Sequence, residues 1–368
     1  MKFIVSSSQL LTQLKILLGL ISSSNALPIL DNFLFELQGD QLIITSSDLE
    51  TTISCKTQVN SYTVGKIAVP ARLITDIIKN FDEQTLTFST RRDTLEITSE
   101  QGSYSLPFQN GEEFPKAPIL ERQNLLLLKT NTLLKVINKT LFATSSDEFL
   151  LVMTGVLFQL TPEGSTFVAT DAHQLVKHVI KDLKTEKITE FILPKKPLKL
   201  LKNMLPEEGE LTIEYNETNT RFIFDHQILT CQLIIGKYPN YETVIPKESN
   251  KVLTINRKLF LRILKRISIF SNKTTNKICF HFNRDQTKII TEDVDFSNKA
   301  QEIFPFDYKG EDITIGFNSK FMIEILSHLR SEEIIFKMSE PHLAGILIPL
   351  ENEEGEVLML VMPIMLND

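Results

Sequence analysis

The sequence contains three copies of one local pattern, spaced about 124 residues apart. An apolar residue and then Pro or Asn open a helix at Val69-Pro70-Ala71-Arg72, Leu193-Pro194-Lys195-Lys196 and Phe317-Asn318-Ser319-Lys320. In each copy, apolar residues recur at helical spacing after this start, as Ile74 and Ile77 show in the first. A period of this length predicts tandem domains, each with its own core.

Each copy also has an earlier amphipathic helix and closes on an apolar residue followed by proline. The segments between helices are rich in Ile, Val, Thr and Phe and are separated by turn residues, which predicts antiparallel strands. The six predicted helices are Ser7–Ser22, Ala71–Asn80, Asn131–Phe142, Pro194–Met204, Asn256–Phe270 and Asn318–Arg330. We therefore predict an α+β chain of three domains, at residues 1–120, 121–248 and 249–368.

The charges are segregated between the helices and the rest of the chain. The chain has 39 Lys and Arg against 46 Asp and Glu, a net charge of −7, yet the six helices hold sixteen basic and only two acidic residues. In the fifth helix Lys258, Arg262 and Lys265 lie opposite an apolar stripe. The fourth helix has the same arrangement, with the basic residues Lys195, Lys199 and Lys202. Lysines that simply face water would explain the basic residues of any one helix. A helix face exposed only to water, however, usually carries both basic and acidic residues.

The pattern therefore predicts a surface that faces a polyanion. No helix-turn-helix, RNA-recognition or zinc-finger signal occurs, so the natural ligand is duplex DNA contacted through its backbone, without sequence preference.

The motifs of several enzyme and metal-binding classes are missing from the sequence. The three cysteines lie far apart, the six histidines are scattered, and no phosphate-binding loop, dinucleotide fingerprint or HExxH occurs, so we expect no metal and no cofactor. Asp171 and His173 lie near Thr170 but lack a third orienting group, so we expect no enzyme activity. Glu353-Glu354 is expected to solvate a loop. With no signal-peptide or membrane-spanning run, a cytoplasmic protein is predicted.

Ordered motifs extend over nearly the whole chain, and together they carry a family resemblance. They are Met1-Lys2-Phe3, Leu27-Pro28-Ile29-Leu30, Ser47-Asp48-Leu49-Glu50, Val69-Pro70-Ala71-Arg72, Ala169-Thr170-Asp171-Ala172-His173, Tyr238-Pro239-Asn240-Tyr241, Val244-Ile245-Pro246 and Val361-Met362-Pro363. The chain resembles the bacterial DNA polymerase III beta subunits, the replicative sliding clamps. This resemblance implies a noncatalytic head-to-tail homodimer whose six domains close into a ring around double-stranded DNA. It implies as partners a clamp loader, the replicative polymerase and other proteins with a clamp-binding motif.

The resemblance also places functional residues. It implies DNA contacts in the pore by Arg72 and Lys196, to which the basic helix faces add Lys135, Lys139, Lys199, Arg262 and Lys265. Ser24 stands where the family often has a pore arginine, and Asp147 where members can carry a DNA-contacting glutamine.

The resemblance implies that partners insert a short peptide, with a glutamine and a Leu/Phe end, into a hydrophobic cleft between the second domain, the third domain and the C-terminal tail. Its residues would be Met153, Thr170, Ala172, His173, Leu175, Pro239, Val244, Leu360, Met362 and Pro363. Here Ala172 replaces the family's usual glycine, while Gln174, Thr243 and Met365 replace arginines, so a less basic cleft is expected.

For dimerisation, the resemblance pairs Ile269 and Phe270 of one chain with Tyr104 and Leu106 of the other. Burial of these four residues within one protomer is the alternative. Two alternative functions also stay open from the sequence: a repeated α+β protein that binds or hydrolyses a small molecule, and a specialised paralogue acting in repair.

Overall fold

The computed structural model describes residues 1–22, 27–121, 123–283, 286–304, 307–351, 353 and 355–366. Ser24 and Glu354, which carry predictions above, lie outside these ranges. The helices are α1 Ser7–Leu18, α2 Ala71–Lys79, α3 Thr130–Thr140, α4 Lys195–Met204, α5 Arg257–Ile267 and α6 Ser319–His328.

The strands are short and make antiparallel pairs. In the first part of the chain they are β1 Lys2–Ser6, β2 Asn32–Gln38, β3 Gln41–Ser47, β4 Thr51–Gln58, β5 Asn60–Ser61, β6 Gly65–Pro70, β7 Thr85–Arg91, β8 Thr94–Thr98, β9 Ser103–Pro107 and β10 Gln109–Asn110. In the middle they are β11 Asn124–Lys129, β12 Gly155–Thr161, β13 Gly164–Thr170, β14 Gln174–Ile180, β15 Thr189–Pro194, β16 Glu210–Tyr215, β17 Asn219–Phe224 and β18 Gln227–Gln232. In the last part they are β19 Lys251–Asn256, β20 Lys277–Phe282, β21 Thr287–Asp293, β22 Asn298–Phe304, β23 Asp307–Lys309, β24 Ile313–Asn318, β25 Glu333–Met338, β26 Gly345–Pro349, β27 Glu356–Val361 and β28 Pro363–Ile364.

The backbone contacts group the chain into two compact units. The first unit comprises Met1–Leu134 and Lys196–Leu233. It contains a five-stranded sheet in the order β5-β1-β7-β8-β9 and a nine-stranded sheet in the order β10-β6-β2-β3-β4-β18-β17-β16-β11. In the nine-stranded sheet β4 pairs with β18, so strands of the first and second repeats form one continuous surface.

The second unit comprises Lys135–Lys195 and Ile234–Asp368. Its sheets have the orders β15-β12-β13-β14-β27-β26-β25-β19-β23 and β22-β21-β20-β24-β28. Here β14 pairs with β27, which joins the second repeat to the third. The middle repeat is thus divided between the two nine-stranded sheets, and the domain boundaries at 120 and 248 stay predictions.

The repeated helix starts are confirmed. A strand ends at Pro70, Pro194 and Asn318, and α2, α4 and α6 begin at the following residue. The Asn318 side chain accepts a hydrogen bond from the Lys320 N–H, and thus satisfies one of the free donors at the start of α6. Of the two apolar positions in the first copy, Ile74 is buried and Ile77 is half-buried. Within the described ranges, every helix is too short or too polar to span a bilayer.

Candidate nucleic-acid interface and partner cleft

Helix α5 has one apolar and one basic face. Phe260, Ile263 and Ile267 are buried, while Lys258, Arg262 and Lys265 are exposed. The Asn256 side chain caps the helix by accepting a hydrogen bond from the Leu259 N–H. Because Arg262 and Lys265 lie on the exposed face, this helix presents cations that an anionic ligand can reach.

Helix α4 has the same character, with one difference from the predicted face. Lys196, Lys199 and Lys202 are exposed. Lys195, which the periodicity placed with Lys199 and Lys202, is half-buried, and its ammonium donates to the Thr144 carbonyl at 3.2 Å. That placement was wrong because the first residue of the helix reaches a nearby backbone acceptor.

The two residues implied by family resemblance are both at the surface. Arg72 is exposed on α2 and donates to the Ser22 carbonyl at 3.2 Å. Lys196 forms an ion pair with Asp48, whose carboxylate also accepts a hydrogen bond from the Thr51 N–H at 2.6 Å. Since the Lys196 side chain is about half exposed, a phosphate group can reach it in this position.

Lys139 does not face solvent, and its prediction as a DNA contact is corrected. Only 5% of the residue is exposed, and its ammonium donates to the Glu353 carboxylate and to the His328 carbonyl. Burial lowers the pKa of Lys139, although the hydrogen bond and the charge of Glu353 act to raise it. Lys135, one helical turn earlier, is half-buried and lines a cavity of about 460 Å³ beside this pair.

Glu353 was expected to solvate a loop, but its side chain is only 6% exposed. Its carboxylate accepts hydrogen bonds from Lys139 and from the backbone N–H groups of Arg330 and Ser331. Burial alone would raise the pKa of Glu353, but these hydrogen bonds outweigh it and hold the pKa below its usual range. The pair links the end of α3 to the segment between β26 and β27.

The charges of Lys139 and Glu353 also act on the imidazole of His178. It is fully buried on β14, and neither ring nitrogen has a hydrogen-bond partner. Burial, with a further contribution from the Lys139 charge, lowers the pKa of His178 to about 4. The imidazole is therefore neutral near pH 7 and serves as a packing group in the core.

The predicted cleft residues lie around one apolar cluster of the second unit. Leu175 and Leu360 are almost completely buried in it with Tyr238 and Tyr241, and we call these four residues the floor of the predicted cleft. Thr170 is also buried, and its N–H donates to the Tyr238 hydroxyl at 3.1 Å. The predicted residues that reach solvent, wholly or in part, are Met153, Ala172, His173, Pro239, Val244, Met362 and Pro363.

The turn between β13 and β14 positions His173 at the edge of this cluster. The Asp171 carboxylate accepts hydrogen bonds from the N–H groups of His173 and Gln174, at 2.9 and 2.8 Å. The His173 carbonyl accepts a hydrogen bond from the Met362 N–H at 2.8 Å, and this bond ties the turn to the C-terminal segment. The His173 ring stacks on Phe321 of α6, with ring centroids 5.6 Å apart.

Two side chains in this region were not predicted as site residues. Phe321 covers the His173 ring, but its position on a helix 148 residues away leaves no local signal in the sequence. Tyr238 could have been found, since it precedes the predicted Pro239, and a buried tyrosine hydroxyl usually has a polar partner.

Ala172 has a backbone conformation that favours glycine. Its φ is +73°, in the left-handed region where a Cβ costs about 1 kcal/mol. We expect Ala172→Gly to raise the free energy of unfolding by about 1 kcal/mol, measured by urea denaturation. Ala169→Gly, in strand β13 three residues earlier, is the matched control and should lower it by about 1 kcal/mol. Destabilisation by Ala172→Gly would show that the turn carries no strain.

The four predicted dimer residues divide into two groups. Ile269 and Phe270 follow α5 in a short 3-10 helix and are exposed, as is Tyr104 on β9. Leu106 is only 2% exposed, because β9 turns this residue toward the interior. Its prediction as an interface side chain is therefore corrected.

No cluster of three or more His, Cys, Asp or Glu residues that could hold a metal ion occurs among the described residues. The Asp171 carboxylate, the one acid near His173 in sequence, is used by the backbone of its own turn.

Family comparisons agree with this architecture. Models of the N-terminal, central and C-terminal domains of the DNA polymerase III beta subunit match residues 1–118, 127–240 and 242–364. The chain belongs to this family. The predicted family and the predicted α+β fold of three clamp domains are confirmed.

Relatives in the beta subunit family match over the full chain. The beta sliding clamp of Chlamydia pneumoniae is 27% identical, and that of Synechococcus elongatus is 29% identical, each with all of both chains covered. Among solved structures, a DnaN sliding clamp from Bartonella birtlesii bound to griselimycin is 26% identical with a TM-score of 0.93. The DNA polymerase III beta subunit from Pseudomonas aeruginosa, at 24% identity, has a TM-score of 0.95. Both structural matches cover all of both chains.

Proposed function

We propose that this sliding clamp encircles duplex DNA as a head-to-tail homodimer and holds the replicative polymerase at its template in the cytoplasm. The observation that carries the proposal is the basic, exposed face of α4 and α5 opposite their buried stripes. Lys199 on α4 and Arg262 on α5 represent these faces. Family membership supplies the ring in which such faces would line the hole.

The chemistry of these faces suits a ligand that must be held without being fixed. Attraction between ammonium or guanidinium groups and phosphates is independent of sequence and weakens with salt, so a protein bound in this way can slide. The chain outside the six predicted helices has a net negative charge. That charge would repel DNA from other surfaces, so retention depends on enclosure more than on affinity.

Six residues are proposed to contact the DNA backbone. They are Arg72, Lys135, Lys196, Lys199, Arg262 and Lys265. Lys139 is left out because its side chain is buried in the ion pair with Glu353, whereas the Lys196 side chain stays about half exposed in its pair with Asp48.

The cleft is proposed to bind short peptides of the polymerase, of the clamp loader and of other partners. Met153, Met362 and Pro363 supply partly exposed apolar surface above the floor that includes Leu175 and Leu360. Flexible thioethers and aliphatic side chains suit a groove that must accept several sequences. A tethered polymerase that releases its template stays at high effective concentration beside it, which explains processivity without catalysis by the clamp.

The cleft should also be less basic than in relatives with arginines at its edge. Gln174, Thr243 and Met365 occupy those positions. The Gln174 amide donates to Asp171 and Glu324, at 3.2 and 3.4 Å, and so serves the protein's own carboxylates. Acidic residues in partner peptides should therefore contribute little to affinity.

Retention on circular DNA tests the proposal. With a clamp loader and ATP, we expect the protein to stay on a nicked circular plasmid through a high-salt wash and to be lost once the plasmid is linearised. Enclosure resists salt, whereas electrostatic binding does not. Lys199→Glu with Arg262→Glu should reduce loading, and Lys184→Glu with Lys187→Glu, the same change of charge at exposed residues outside the six helices, should not. Equal retention on circular and linear DNA would contradict the ring.

A further inference from the structure

Three consecutive apolar residues are exposed in the segment between α3 and β12. Phe149, Leu150 and Leu151 lie in the 3-10 segment Glu148–Thr154. Phe149 is 98% exposed, more than any other large hydrophobic side chain of the described residues. Leaving a phenylalanine in water forgoes about 1.5–3 kcal/mol of burial, so a cluster of such residues suggests a binding surface. We call these three residues the Phe149 ridge.

The ridge is held in place by hydrogen bonds within its own segment of chain. The Asp147 carboxylate accepts a hydrogen bond from the Phe149 N–H at 2.9 Å, and the Asp147 carbonyl accepts one from the Leu150 N–H at 3.1 Å. The Ser145 N–H donates to the Met153 carbonyl at 2.9 Å and closes the base of the loop. A preordered ridge loses little conformational entropy when a partner covers it.

The ridge is continuous with the cleft. Val152, the next residue, packs on the cluster that contains Leu175 and Leu360. The segment around Gly236 lies against the same side chain, since a Cβ at Gly236 would come within 2.7 Å of Val152 Cγ1. Along the chain, the ridge is therefore followed at once by a side chain that packs against the cleft floor.

The charges beside the ridge indicate what would bind there. Asp147 and Glu148 are exposed and immediately precede Phe149. Carboxylates in this position would repel the phosphates of DNA and favour a cationic ligand. A protein segment with a large apolar side chain next to Lys or Arg fits both properties.

We propose that the Phe149 ridge is a second docking surface for the partner proteins that use the cleft. It binds a large apolar residue flanked by Lys or Arg, contributed by the part of the partner chain that adjoins the cleft-bound peptide. The inference rests on the proposed peptide-binding function and extends it to a contact that the cleft alone cannot make.

Fluorescence anisotropy with three labelled peptides tests the ridge. The core peptide has a glutamine and a Leu-Phe end, and the extended forms add a Phe-Lys-Lys segment at either end. We expect one extended form to bind about tenfold more tightly than the core peptide, as burial of one aromatic ring allows. Phe149→Ser should abolish this gain without changing affinity for the core peptide, and Glu148→Lys should reduce it.

Ile188→Ser provides the matched control. Ile188 is also highly exposed. It precedes Thr189, which pairs with Leu160 near the end of β12, at a distance from the cleft residues. This variant should bind all peptides as the unchanged protein does. Equal affinities for core and extended peptides would overturn the ridge while leaving the cleft intact. Failure of every peptide to bind would overturn both the ridge and the proposed cleft. If Phe149→Ser lowers the affinity for DNA but the extended peptide still binds more tightly than the core peptide, the ridge contacts DNA instead.

Discussion

Replacing Glu353 by glutamine is expected to lower the free energy of unfolding by about 3–5 kcal/mol. Glutamine keeps the shape of the side chain but removes the charge that offsets the buried Lys139 ammonium. A buried charge left without its partner is costly, because the desolvation it suffers is no longer compensated. Urea denaturation of the full-length protein provides the measurement.

A second variant separates the charge pair from general damage. Lys139→Met combined with Glu353→Gln should recover most of the lost stability, because a pair replaced on both sides leaves no unpaired charge. Glu356→Gln removes one partner of an exposed ion pair with Lys181 and should cause no measurable change. If the double variant is as unstable as Glu353→Gln alone, the ion pair is not the cause.

The same pair predicts a dependence of stability on pH. Because the pKa of Glu353 is lower in the folded protein than in the unfolded chain, its contribution is complete above the usual glutamate range. That contribution is lost as the pH falls through the lower folded value. Acid unfolding of Glu353→Gln should therefore lack this part of the pH dependence.

Introducing aspartate at both Ile269 and Phe270 is expected to convert the dimer to a monomer. The two side chains are 66% and 42% exposed in the single chain, so the substitutions should leave the protomer folded. In a dimer interface, each lost apolar contact would cost about 1.5–3 kcal/mol, and a carboxylate buried without a partner would cost more. The dimer dissociation constant should rise by at least about 1,000-fold.

Analytical ultracentrifugation measures this change, and circular dichroism checks the fold. Ile188→Asp, at another exposed isoleucine of the same unit, should stay dimeric. A double variant that still sediments as a dimer at concentrations where the unchanged protein begins to dissociate would place the interface elsewhere.

The elements of the fold that depend on local chemistry could be predicted from the sequence. The starts of α2, α4 and α6 follow from a strand that ends in Pro or Asn and an apolar pattern that changes to a period of 3.6. These are decided within about ten residues of chain. The exposed cations Lys199 and Arg262 follow from the same local periodicity.

Predictions that depend on distant partners were wrong. Helical periodicity places Lys139 near the exposed side of α3, but Glu353, 214 residues later, draws it into the interior. Leu106 lies on a strand where alternation allows either face, and the sheet decides which face is covered. The stacking of His173 on Phe321 likewise requires two segments that only tertiary structure brings together.

The division of the middle repeat between the two large sheets has a consequence for fragments of the chain. A polypeptide cut at residue 120 would contain β4 without β18, and its longest hydrogen-bonding edge would be open. Open edges recruit other strands, so such a piece is expected to precipitate or to cross-pair in place of folding alone. Three repeats in sequence therefore do not make three separable modules, and truncation studies should keep residues 121–248 attached to both neighbours.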